Sequence, residues 1–450
     1  MPLTDDIKMI SIDDHLIEPP GVWVDRLPAE YHDRCPHVEE ITEDRIEPFY
    51  AKTVHLKKGM QVWRYEDILE PNVGLTATAG LDVKDKNFSP VRFDQMLRGT
   101  WDPVARLADM DADGVWAQAP FPSFPGFSGN KFVFAKDKEL AYLCVRAYND
   151  FLLDEWCPAA PDRYISIIIL PLWDQDLCVK EIERCAAKGA HAITFPDNPA
   201  GLGLPSYQGT AWDGTFAAAA EAAMPLCMHF GGSKIIPFVS AEAPQAVVTT
   251  LFGITLFNSM TELVMSPVFT KHPKLKVAYS EGGIGWVPYA LMRMDQVWET
   301  YREFPIENNV DPDRRPSDVV REHIFSCFID DPVGVSMRHD IGVERLLWES
   351  DYPHADSLWP NSRANAQKVF AEVPTEEVRQ IVETNARDLF RFHSPPGRRR
   401  ARLAAGVAAD DGRGRNRIRR RGPASGTGRD RAGRRAQVHR APRVRLPAAP

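Results

Sequence analysis

MISIDDHLIEPP, residues 9–20, is the stretch that decides the fold. Met9–Asp13 is apolar enough for a buried strand, and the run ends on polar Asp13 and His15. A strand that is apolar along its length and shows chemistry only at its carboxyl end is how a parallel α/β barrel displays a site. Two later stretches repeat the pattern: PLCMHFGG at 225–232 delivers His229, and LLWESDYPH at 346–354 delivers Asp351.

Working outward, eight runs have strand character: near 9–13, 114–119, 164–172, 192–195, 225–230, 275–281, 324–329 and 345–350. Segments with helical spacing separate most of them, among them KELAYLCVRAYNDFLLDEW, DLCVKEIERCAAKG and DGTFAAAAEAA. This alternation predicts parallel strands with crossover helices, closed as a (β/α)8 TIM barrel over residues 1–393. The span from about 40 to 105 is far longer than an ordinary connection of ~2 to 6 residues. It is expected to be an insertion after the first strand, over the barrel mouth, with a hairpin across residues 50–68. The loop FPSFPGFSGNKF at 121–132 is a second candidate pocket wall. Either segment could equally serve only to cover apolar barrel surface.

The 450 residues are 44% hydrophobic, enough for one large core, and carry a net charge of -8. That charge is divided. From Arg398 onward there are 17 Arg against 3 Asp, a tail of +14, which leaves -22 for the body. An acidic body argues against a nucleic-acid enzyme. The tail, 394–450, is rich in Arg, Ala, Gly and Pro and is expected to be disordered. It is either a basic arm for anionic surfaces or an accidental extension of the reading frame. Seven scattered cysteines without a CxxC spacing predict free thiols in a reducing cytoplasm. The sequence shows neither a signal segment nor an unbroken apolar run of the ~18 residues a membrane span needs. A membrane partner is therefore not expected.

Asp13 and His15 are two residues apart, so a strand turns both to one side, here the barrel interior. Together with His229 and Asp351 they make two carboxylates and two imidazoles, a donor set for one divalent metal. Zinc is the first choice, and manganese or iron(II) is also served. Taken singly, each signal is weak, because a histidine on an apolar strand is more often a packed, hydrogen-bonded residue. The coincidence of three strand ends carries the inference. Asp351 can act as ligand or as general base, with His354 supporting it from behind. His354 and Asp356 could instead cap their loop. Glu281, in YSEGGIGWVPYALMRMD, ends the sixth strand and suits proton transfer if burial raises its pKa. Its structural alternative is an ion pair with Arg293.

Taken together, IDDHLIEPPGVW, RLADMDADGV, PLCMHFGG, YSEGGIGWVPYALMRMD and LLWESDYPHADSLWP resemble the amidohydrolase-related family of metal-dependent enzymes over about residues 8–393. That family includes decarboxylases of aminocarboxymuconate semialdehyde, gamma-resorcylate and carboxyvanillate. The resemblance implies a mononuclear metal held by Asp13, His15, His229 and Asp351, and a homodimer or higher homo-oligomer. It also implies a small-molecule substrate. Two departures stand out: Asp13-x-His15 replaces the HxH of many members, and Glu281 stands where many have a histidine. In related decarboxylases an arginine from a neighbouring subunit lies near the position of Arg302, for which a surface role is the simpler reading. The lack of a strand-end lysine after AITF (192–195) favours a single metal.

Three readings follow. The metal could serve decarboxylation of an aromatic or unsaturated carboxylic acid, with Glu281 and Asp351 moving the proton. It could activate water for hydrolysis of a small organic substrate, with Asp351 as base. Or the barrel could be a non-catalytic small-molecule binding protein.

Overall fold

The fold is seen in a computed structural model, which describes residues 2–393 apart from 50–51, 83, 85, 88, 235–238, 241 and 304–310. The Arg-rich tail expected to be disordered lies outside the described residues. Thirteen strands occur among the described residues: β1 Met9–Leu16, β2 His37–Glu40, β3 Arg45–Phe49, β4 Lys52–Leu56, β5 Gln61–Tyr65, β6 Ile68–Glu70, β7 Val115–Pro122, β8 Ile167–Ile168, β9 Ala192–Thr194, β10 Leu226–His229, β11 Val277–Ser280, β12 Ile324–Phe328 and β13 Leu346–Trp348. Eight form one parallel sheet in the order β7-β1-β13-β12-β11-β10-β9-β8. The circle closes where Gln118 of β7 donates to Arg163 O and accepts from Ile165 N, each at 2.9 Å. Every strand expected from the sequence is present.

The crossover helices begin where local chemistry prescribes. Asp102 caps Pro103–Asp113, Asp137 caps Lys138–Phe151 and Asp174 caps Gln175–Ala187, each accepting from free amides of the first turn. Such a cap contributes about 1 kcal/mol. Gly114, at φ 74°, then ends the first of these helices and turns the chain into β7. Inside the barrel Ile10, Ile12, Ala117, Ala119, Phe121, Ile167, Ala192, Cys227, Ala278, Cys327 and Leu347 fill one apolar cluster. The larger cluster lies between the sheet and the helices.

The insertion departs from expectation in detail. Instead of one hairpin across 50–68, β3 pairs with β4, while β5 pairs with β2 and β6. β4 thus pairs with the strand before it and β5 with the strand after it, while β2 joins β5 from farther along the chain. The insertion holds both mouth loops. Thr78 Oγ1 donates to the carbonyls of Pro353 and His354, and Ala355 N donates to Leu75 O. On the other side Lys131 pairs with Glu70, and Glu66 accepts from the amides of Lys136 and Asp137.

Gln245–Val264 forms a helical stretch long and apolar enough, by length and composition, to cross a membrane. Thr, Ser and Asn residues interrupt it, which is why no unbroken apolar run shows in the sequence. Here it joins β10 to β11, and Leu256, Met260 and Leu263 pack into the core.

Candidate metal centre

β1 delivers the first two donors through an irregularity. Ile10 and Ile12 face the interior, so strict alternation would send Asp14 inward and leave Asp13 and His15 outside. Register with β7 runs Ser11↔Gln118, then Asp14↔Pro120 and His15↔Phe121, so β1 carries one extra residue. This bulge reverses the phase, and Asp13 and His15 follow Ile12 to the inside. Asp14 turns the other way, accepting from Gln118 Nε2 at 3.0 Å and from Ser350 Oγ. Arg106, fully buried, donates to the carbonyls of His15 and Gly99 and to Gln118 Oε1. Its charge thus stands directly behind the donor pair.

The expected groups converge. His15 Nε2 lies 3.5 Å from Asp13 Oδ1 and 3.3 Å from Asp351 Oδ1. His229 Nε2 lies 3.4 Å from Asp13 Oδ2, 3.3 Å from Glu281 Oε2 and 3.1 Å from His15 Nε2. His229 Nδ1 faces Phe230 O at 2.5 Å, so Nδ1 carries the hydrogen and Nε2 presents its lone pair. His354 stacks on His15 with ring centroids 3.6 Å apart, and its Nδ1 is 3.1 Å from Asp351 Oδ1. The support role expected of His354 is therefore available to it. Glu281 meets His229 rather than Arg293. Arg302 lies over the Trp298 ring and beside Glu299, about a third exposed.

These groups fit a cation. Asp13, His15, His229 and Asp351 are at most 1% exposed, and both carboxylate oxygens of Asp13 and of Asp351 accept no hydrogen bond among the described residues. Burial, followed by mutual repulsion, raises the carboxyls of Asp13, Glu281 and Asp351 well above the usual range. Burial likewise lowers His15 and takes His229 and His354 to about 3. Neutral imidazoles and crowded carboxylates converging on one point are what a divalent ion would satisfy. Asp13, His15 and His229 each bring a donor atom within 4.8 Å of the others, as do His15, Asp351 and His354.

The backbone adds an independent sign. Glu281 has φ 59° and Asp351 φ 53°, a left-handed region that a non-glycine residue enters under strain. Both stand at the carboxyl ends of barrel strands. The aromatic wall comes from the 121–132 loop, where Phe127 lies 4.1 Å from His229 and 4.8 Å from His15 between ring centroids. Phe121 closes the other side.

Two buried acids escaped the sequence reading. Glu349, 1% exposed, accepts from Glu281 N and from Cys327 Sγ. Its spacing of two from Asp351 is the signal that identified Asp13 and His15. Glu18 accepts from the amides of Ser123 and Phe124 and anchors the Phe127 loop. An open groove of about 620 Å³ on the outer helices, lined by Met292, Arg315, Asp318 and Arg321 among others, lies away from this chemistry.

Residues 54–392 match the amidohydrolase family. The chain belongs to that family. The match takes in His229, Glu281 and Asp351, whereas Asp13 and His15 precede it. Among curated amidohydrolase relatives, gamma-resorcylate decarboxylase of Rhizobium sp. (strain MTP-10005) is 25% identical over 316 residues, which are 64% of this chain and 86% of that protein. An amidohydrolase from Mycobacterium avium subsp. paratuberculosis K-10 shares the fold at TM-score 0.63 and 21% identity, covering 86% of this chain and all but 1% of its own (99%). 5-Carboxyvanillate decarboxylase of Novosphingobium aromaticivorans, solved with manganese and 4-hydroxy-3-methoxy-5-nitrobenzoic acid, aligns at TM-score 0.59 and 18% identity over 86% of this chain and 99% of its own.

Proposed function

We propose that this amidohydrolase is a metal-dependent carboxy-lyase that removes carbon dioxide from an aromatic or unsaturated carboxylic acid. Asp13, His15, His229 and Asp351 would hold one divalent ion. Two oxygen and two nitrogen donors suit zinc, the first choice from the sequence, and equally manganese, the metal of the carboxyvanillate decarboxylase relative. When bound, the ion supplies positive charge to receive and polarise the substrate carboxylate.

The chain's own groups account for the rest. Phe121 and Phe127 wall the site, suit a flat ring or conjugated system and exclude water. Glu281, whose carboxyl favours the protonated form, gives its proton to the carbon bearing the carboxylate. The carbon–carbon bond then breaks, its electron pair stays with the substrate, and carbon dioxide leaves. Glu281 recovers a proton from solvent through its exposed edge, about 10% of the side chain. The single observation that carries this reading is the Glu281 carboxyl, 3.3 Å from His229 Nε2 in an aromatic-walled pocket. The barrel of residues 1–393 is taken to work as a homodimer or higher oligomer in the cytoplasm, which suits its seven free, buried thiols.

The test is to load the protein with zinc or manganese and incubate it with gamma-resorcylate, carboxyvanillate and other ring acids. Carbon dioxide release with deuterium entering the product from D2O supports the proposal. Solvent ¹⁸O entering the products of an ester or lactone panel, with no carbon dioxide, would replace it with hydrolysis. Retained metal with turnover of neither panel would leave a binding protein.

A further inference from the structure

Glu281 directly follows β11 with φ 59°, a conformation that glycine adopts freely and glutamate does not. Its surroundings must therefore hold it there. Downstream, the turn is pinned by the Asp331 carboxylate, which accepts from Ile284 N and Gly285 N at 2.7 Å each. Upstream, Glu281 N donates 3.2 Å to Glu349 Oε2, which comes from the end of β13, two strands away. Cys327 of β12, the strand between them, donates through Sγ to the same oxygen. A part-buried amide that finds its acceptor in a side chain two strands away is oriented by that side chain.

We infer that Glu349 is a positioning residue whose carboxylate holds the Glu281 backbone in its left-handed conformation and so aims the Glu281 carboxyl at His229. Losing the acceptor frees the amide, and the backbone relaxes to negative φ, swinging the carboxyl off the 3.3 Å contact. The kinetic consequence rests on the reading of Glu281 as proton donor, but the geometry does not.

The test is structural first. Crystal structures of the full-length, metal-loaded wild type are compared with those of Glu349→Gln, which keeps an acceptor oxygen, and Glu349→Met, which removes it at similar volume. The left-handed Glu281 and its contact with His229 are expected to survive in the Gln variant and to be lost in the Met variant. If the Met variant does not fold, Glu349→Asp, whose carboxylate is too short to reach, gives the same comparison. Glu281 unmoved in the acceptor-less variant would overturn the inference and leave the turn itself, pinned by Asp331, as the cause. Kinetics form the second arm. Glu349→Met is expected to lower kcat roughly 100-fold, the scale of a ~1 Å misplacement, while KM and metal content hold and Gln restores most of the rate. In a Glu281→Ala background the same substitution should change nothing further. An equal drop in that background would mean that Glu349 acts independently of Glu281, against the inference. A wild type that releases no carbon dioxide would refute the proposed function, leaving the structural arm to decide this one.

Discussion

Replacing Glu18 by Gln should stabilise the protein at alkaline pH relative to acid. Glu18 is fully buried and accepts from Ser123 N at 2.9 Å and from Phe124 N at 2.8 Å, anchoring the loop that sets Phe127 against His15 and His229. Burial lifts its carboxyl from the ordinary 4.5 to about 7, against the opposing pull of the two amides and of Lys131. The folded chain thus binds this proton more tightly than the unfolded chain. The resulting stabilisation is complete below pH 4.5 and is lost as pH rises through 7. At about 1.4 kcal/mol per pH unit of pKa difference, and with the unfolded carboxyl already mostly ionised at pH 5, wild type loses roughly 2 to 3 kcal/mol between pH 5 and pH 8 through this group. Gln cannot ionise and escapes that loss, although exchanging an acceptor for an NH2 imposes a constant penalty at both pH values. Urea unfolding of both proteins at pH 5 and pH 8 measures the effect. The stability difference, variant minus wild type, should rise by roughly 2 to 3 kcal/mol toward pH 8. A difference constant within ~0.5 kcal/mol would refute the reasoning. A fall toward pH 8 would mean that the amides outweigh burial and hold Glu18 ionised.

The remaining predictions concern the metal centre. Elemental analysis of protein purified without added metal should find close to one zinc, manganese or iron per chain, lost in Asp13→Ala, His229→Ala and Asp351→Ala while circular dichroism stays native. Full metal in all three variants would remove the proposed ligand set. Chelation should lower Tm by a few degrees, because an ion at ~100 times its Kd contributes about 2.7 kcal/mol. Adding back zinc or manganese should restore Tm, and a Tm indifferent to both would count against the site. Arg106→Met leaves the carbonyls of His15 and Gly99 without their donor and Asp14 without its counter-charge. It should destabilise the fold by about 3 to 5 kcal/mol and weaken metal binding by roughly 10- to 100-fold, as isothermal titration would record. Wild-type metal affinity in this variant would show that Arg106 supports the barrel alone.

The sequence by itself determined the barrel and pointed to most of the candidate site. Eight apolar runs alternating with amphipathic ones leave few topologies, because each strand needs two covered faces and each helix one. His229, Glu281 and Asp351 were legible because the carboxyl end of a barrel strand is where a polar residue after an apolar run must stand. The tertiary structure decided what depends on register and distant partners. Whether Asp13 and His15 or Asp14 face the interior hangs on one extra residue in β1, which only pairing with β7 reveals. In the insertion, β3 with β4 and β5 with β6 are pairs of consecutive strands, and only the addition of β2 to β5 depends on residues farther apart in the chain. Glu349 looked like one more acid in LLWESDYPH until β11, β12 and β13 lay side by side and its carboxylate met the amide of Glu281. Local sequence specifies which residues can form a strand and where it ends; the facing of a bulged strand and the partner of a buried carboxylate are set by contacts between residues far apart in the chain, which no local pattern encodes.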